Sequence, residues 1–250
     1  MGNTWRTTLE TLPAVITTDI ASQSTQFIFN VALEYKEQRK ITEYLYLLIV
    51  ACNRGWDRAI IELYDNISHL SDIQWNKDIS DMCDYYTHAS YTHEDGPADP
   101  STSYYYTILG YMSLYGLGGT HKDARYAESC FRRNTNVIDL LCLGYIYRSY
   151  GQRARAVEMY EHSYTLLKLP YTLYVIARMT DSSSLYTQVL NLCEEYPESL
   201  HTCFTLGCMY LYGNVLPVNV PVAIGYLAKI YTIHPHNVDN MRNTISKERF

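Results

Sequence analysis

A Leu-Gly pair recurs three times in the second half of the chain, and the residues after each pair recur with it. Leu109-Gly110 is followed by Gly116, Gly118, Asp123, Ala127 and Phe131. Leu143-Gly144, 34 residues on, is followed by Tyr147, Gly151, Ala156, Tyr160 and Ser163. Leu206-Gly207 is followed by Tyr210, Gly213, Asn219, Ala223, Tyr226 and Leu227. A weaker unit, Tyr171 to Pro197, fills the gap before the last, and prolines at 170, 197 and 235 punctuate the unit ends. A period of 30–38 residues with helical spacings inside it means stacked helical hairpins. One hairpin cannot bury its apolar face alone; a stack can.

Each position has a physical reason. In the unit from Val137 to Pro170, Leu140, Leu143, Gly144 and Tyr147 share one face of a first helix. Gly144 lacks a side chain, so a second helix can come close there, and Gly151 can take the positive φ that ends the first helix. Ala156, Tyr160 and Ser163 fall at i, i+4 and i+7 on the second helix, Ala admitting close packing and Tyr filling the groove. Pro170 closes the unit, because its ring cannot continue a helix.

These residues resemble the tetratricopeptide repeat and, more closely, its relative the Sel-one-like repeat. Gly116-Leu117-Gly118, Asp123, Ala127 and Phe131 after Leu109-Gly110 look like that pattern with one residue inserted in the turn. Leu206-Gly207 through Leu227 is similar, 137–170 is closer to a plain tetratricopeptide unit, and Ala51 to Gly55 resembles the close of a Sel-one-like unit. Ser113 departs from the usual Tyr, and Tyr171–Pro197 lacks both glycines. The resemblance implies an all-α superhelical solenoid of roughly five or six stacked hairpins. The expected layout is an N-terminal arm (1–25), degenerate hairpins (26–88), a loop (89–102), the repeats (103–236) and a C-terminal capping segment (237–250).

The candidate chemistry is sparse. His88, His93, Glu94 and Asp95, and His234 with His236, lack the helical or paired-turn spacing of metal ligands. Asp72, Asp78, Asp81 and Asp84 lack the Gly and closing Glu of a calcium loop. Gly116-Leu117-Gly118-Gly119 has no Lys-Ser or Lys-Thr after it, so it reads as a turn rather than a phosphate loop. No catalytic motif is present, so the expectation is no enzyme, no cofactor and no metal. The seven cysteines form no CxxC and most sit in apolar runs, which fits reduced, buried thiols in a cytoplasmic compartment. The longest apolar stretch, Tyr44–Cys52, is far short of the ~20 residues that span a bilayer, so no membrane partner is expected.

Composition points instead to a binding surface. There are 26 Tyr against 5 Phe and 3 Trp, and Tyr packs its ring while keeping its hydroxyl wet. Residues 62–99 carry net −8 and residues 121–155 net +4, a segregation that can orient a partner. Six of the bases in 121–155 are arginines, whose fork suits carboxylate or phosphate. The resemblance implies that first helices line a concave groove, which register transfer lines with Tyr104, Tyr111, Tyr115, Tyr145, Arg148 and Tyr212. Thr107, Ile138, Leu141, His201, Phe204 and Cys208 fall in the same register, and of these Leu141, Phe204 and Cys208 read as packing. The expected function is a non-catalytic scaffold or adaptor for a peptide or protein partner carrying an acidic group, with Tyr111 and Tyr145 giving aromatic contacts and Arg148 the anchor. The alternatives are a structural subunit of a capsid or organellar complex and, against the net charge of −6, a helical-repeat RNA binder.

Overall fold

The computed structural model describes residues 22–67, 79, 81–84, 103–197 and 199–233. Among these the chain is all helical, without a strand. The loop 89–102, the capping segment 237–250 and the first 21 residues of the expected arm lie outside the described residues.

Two compact units divide the chain, Met1–Asp139 and Leu140–Phe250. The first holds α1 (Thr25–Glu37), α2 (Ile41–Asn53), α3 (Asp57–Ile67), α4 (Ser103–Tyr115) and α5 (Ala124–Arg132). Helix α6 (Val137–Ser149) has its first turn in that unit and the rest in the second. There it is followed by α7 (Arg153–Leu166), α8 (Pro170–Thr180), α9 (Ser183–Glu195), α10 (Leu200–Tyr212) and α11 (Val220–Ile233). In unit one α2 packs on α1, α3 and α4, and α4 on α5; in unit two α8 packs on α7, α9 and α10, and α10 on α9 and α11. Most of these contacts join helices adjacent in sequence, and the alternate pairs α2/α4 and α8/α10 also touch. Such neighbour relations are those of a helical repeat.

The turns repeat more faithfully than the sequence does. A residue in the left-handed region stands just past the helix end at Arg39, Gly55, Gly116, Gly151, Asp181 and Gly213. In each case the next N–H reaches back to the carbonyl five residues earlier, at Tyr35, Ala51, Met112, Tyr147, Ala177 and Met209 respectively. That bond takes up a carbonyl the helix end would otherwise leave open. Four of the six positions are glycine, which meets the positive φ without strain. The motif's Asp123 and Asn219 have a matching task at helix starts. Asp123 Oδ1 accepts from the backbone of Arg125 and Tyr126 at 2.9 and 3.0 Å, and Asn219 Oδ1 accepts from that of Val222 at 3.2 Å.

Within each Leu-Gly hairpin the glycine marks the closest approach. A Cβ on Gly110 would lie 2.7 Å from the Phe131 ring, on Gly144 2.7 Å from Tyr160, and on Gly207 2.8 Å from Leu227. In all three, the residue facing the glycine is four positions after a fully buried alanine, namely Ala127, Ala156 and Ala223. Small residue against bulky residue therefore sets the spacing between the two helices.

The hairpin α8/α9 keeps this register without its residues. Thirty residues after Gly144, Gly151 and Ala156 stand Tyr174, Asp181 and Tyr186. Tyr174 is fully buried and meets Tyr186 edge to face at 6.1 Å between ring centres. Pro170 occupies the first turn of α8, where its missing N–H costs nothing, so it opens a helix as much as it ends a unit. In unit one, α1 to α3 are tied by Glu62, which accepts from Lys36 at 2.6 Å and from Tyr44 at 3.1 Å. Burial, then the Glu62 charge, raises the Tyr44 hydroxyl well above its usual pKa.

Candidate partner-binding site

Unit two gathers aromatic and basic side chains along α6, α8 and α10. The Arg148 guanidinium carbon lies 5.9 Å from the centre of the Tyr145 ring, both on α6 and both half-buried. On α8, Arg178 lies 6.0 Å from the Tyr174 ring and 5.3 Å from the Tyr212 ring of α10. It thus bridges two consecutive first helices. Nearby on the same two helices, Tyr171 meets His201 at 5.5 Å and Phe204 at 5.9 Å between ring centres. A cation over an aromatic face gains about 0.5–1 kcal/mol at exposed sites.

Arg178 was not among the residues the register transfer selected, although a signal for it exists. It follows Tyr174 by four positions just as Arg148 follows Gly144, so the two arginines are register equivalents 30 residues apart. Because α8 lacks the Leu-Gly mark, only the structure aligns them. Of the residues expected in the groove, the structure brings Tyr145 to Arg148, and Tyr212 to Arg178. Leu141, Phe204 and Cys208 are buried, as packing residues should be.

The remaining tyrosines belong to unit one and are described there. Tyr111 and Tyr115 on α4 stand 4.6 Å apart, Tyr115 with 42% of its surface exposed. Tyr104 is buried at the start of α4, and burial, aided by the nearby Cys52, Asp139 and Asp57, pushes its hydroxyl up. Beside it lies a polar cluster. Asn136 donates to the Thr107 hydroxyl at 2.8 Å and to the Ser103 hydroxyl at 3.2 Å, and its Oδ1 accepts from the Asp139 backbone at 3.0 Å. Asp139 itself is fully buried, and burial raises its carboxyl well above the usual range. The Thr107 hydroxyl opposes this only in part, since it is already engaged by Asn136 and the Ser103 carbonyl.

Among the described residues no three His, Cys, Asp or Glu side chains stand where they could share a metal ion. The groups at 88–95 and 234–236, with Asp72 and Asp78, lie outside the described residues. All seven cysteines are free thiols, Cys142 half-buried and the other six buried. No described helix is long and apolar enough to cross a membrane. No family model, no curated protein and no solved structure matches the chain.

Proposed function

We propose that the chain is a non-catalytic adaptor, a solenoid of stacked hairpins whose first helices hold an acidic peptide segment of a protein partner. The observation that carries this reading is the pair of register-equivalent arginines, Arg148 and Arg178, each set over a tyrosine ring and each half-buried. Two planar forks repeated at one helical position suit successive carboxylates on an extended chain. Tyr145, Tyr171 and Tyr212 supply the large, amphipathic contact area that concentrates binding energy at such surfaces. In unit one the Tyr111–Tyr115 pair offers a similar aromatic surface.

An affinity capture from native extract tests this, with the native chain beside Arg148→Ala/Arg178→Ala and Tyr145→Ala/Arg148→Ala, each of equal helicity by circular dichroism. A partner held by the native chain should be lost from both variants. Its retention by both would sink the site.

A further inference from the structure

Two threonines in the chain stand two residues after a pair of Lys or Arg residues, and no serine does. They are Thr42, after Arg39-Lys40-Ile41, and Thr135, after Arg132-Arg133-Asn134. The structure separates the two. Thr42 lies in the first turn of α2 with only 8% of its surface open to solvent. Thr135 is exposed, in the irregular connection 134–136 between α5 and α6. Only Thr135 presents its hydroxyl to another protein while the chain is folded.

The two arginines before it are at the surface as well. Arg132 is the last residue of α5 and Arg133 its C-cap, and both are exposed. Arg132 pairs with Glu128 at 2.7 Å, yet 57% of its side chain stays open to solvent. The Arg133 guanidinium carbon lies 5.2 Å from the centre of the Tyr106 ring. From Arg133 onward the backbone has left the helix, so the segment up to Thr135 is already non-helical.

We infer that Thr135 is a phosphorylation site for a Ser/Thr protein kinase that reads arginine at the second and third positions before its target. A kinase of that kind presents carboxylates to the substrate, and the guanidinium fork pairs with carboxylates bidentately. The residues after Thr135 point the same way. Asn136 follows instead of proline, and Ile138 stands three residues on instead of an acid, so a kinase that reads either feature finds neither. In the transfer, the Thr135 hydroxyl oxygen attacks the γ-phosphorus of a nucleoside triphosphate held by the kinase. The new O–P bond forms as the bond from that phosphorus to the β–γ bridging oxygen breaks. The hydroxyl proton passes to the kinase's base, and the nucleoside diphosphate leaves.

The surroundings suit the product. Thr135 directly precedes Asn136, whose Oδ1 accepts from the Asp139 backbone at 3.0 Å in the first turn of α6. The open N–H groups of a helix start favour negative charge, and a phosphate brings about −1.5 to −2 at pH 7. Its sequence neighbours are basic: residues 121–155 carry net +4, with Arg133 two positions away. The carboxyl of Asp139, four positions on, is held by burial toward its neutral form and so opposes the phosphate little. Phosphorylation therefore strengthens the start of α6. This inference stands apart from the peptide site.

The test incubates the full chain with Mg-ATP and the catalytic subunit of cyclic-AMP-dependent protein kinase, which reads this arginine pattern, and locates the phosphate by peptide mapping. One phosphate on Thr135 is expected. Arg132→Ala/Arg133→Ala should lower kcat/KM at least about tenfold. Thr135→Ser should still take the phosphate and Thr135→Ala should not, every variant having native helicity by circular dichroism. The phosphorylated chain should melt about 2 °C above the unmodified one. Absence of transfer, or transfer indifferent to the two arginines, would overturn the inference. Phosphate on Thr42 in place of Thr135 would do so too, since the kinase would then be reading an unfolded chain. A phosphorylated chain that melts lower would overturn the effect assigned to the start of α6.

Discussion

The hairpins α6/α7 and α8/α9 occupy the same register and solve the same packing problem in opposite ways. The first places a glycine against a tyrosine, Gly144 beneath Tyr160. The second places a tyrosine against a tyrosine, Tyr174 against Tyr186. The first ends its leading helix on Gly151, the second on Asp181, with the same backbone bond in both turns. Their leading helices also begin differently: Asp139 is buried near the start of α6, whereas the position 30 residues on is the buried, apolar Leu169. What persists between them is the turn geometry and the burial pattern, not the residues.

Tyr174→Ala should be the most damaging single change that this comparison suggests. It empties a fully buried ring site with no close helix contact ready to refill it, and costs about 4 kcal/mol by urea denaturation. A loss below about 1 kcal/mol would mean that α8/α9 can collapse onto the glycine-type spacing. Gly144→Ala comes next, at about 2 kcal/mol, because the added methyl meets the Tyr160 ring at 2.7 Å. Tyr160→Leu in the same chain should recover part of that loss, since a leucine already faces Gly207. Absence of any recovery would show that the ring is not what forbids the methyl.

The start of α6 yields a pH-dependent test. The carboxyl of Asp139 has its pKa raised in the folded chain, so the fold prefers it protonated. Its favourable contribution is therefore full below the ordinary carboxylate pKa and is lost as pH rises through the raised folded value. Asp139→Asn should remove that slope and leave the protein about 1–2 kcal/mol more stable than the native chain at pH 8, with little difference near pH 4. Equal urea midpoints at pH 8 would place a solvated or hydrogen-bonded environment around the native carboxylate. The smallest effect belongs to the turns. Asp181→Gly should stabilise by about 0.5 kcal/mol and Gly151→Asp destabilise by about 1 kcal/mol, read from thermal midpoints. The ion pair of Asp181 with Arg153, at 3.7 Å, is exposed and does not reverse that order.

The same comparison explains what could be read in advance. Gly110, Gly144 and Gly207 were legible because close helix approach restricts the residue chosen, Gly116, Gly151 and Gly213 because positive φ does, and Ala156, Tyr160 and Ser163 because burial at i, i+4 and i+7 leaves a periodic trace. Tyr174 and Asp181 left no such trace, since a tyrosine can be buried in many settings and an aspartate in the left-handed region looks like any loop residue. Arg178 was hidden for that reason: its equivalence to Arg148 depends on an alignment that only the turn geometry supplies. The role of Pro170 depended on which side of the proline the helix lay. The exposed face of α11 was visible as a run without charge, but an uncharged helix reads as core until its neighbours are known.

The placement of the thiols has a practical consequence. Three buried cysteines lie in each unit, Cys52, Cys83 and Cys130 in the first and Cys193, Cys203 and Cys208 in the second. Burial holds Cys130 up at about 11 and Cys193 at about 12, which starves the folded chain of the thiolate that alkylating reagents attack. Each sulfur reacts at an appreciable rate only when its surroundings open. With half-buried Cys142 labelling first, pulsed alkylation followed by peptide mapping would record the order in which the two halves of the molecule come apart, using reporters already built into the chain.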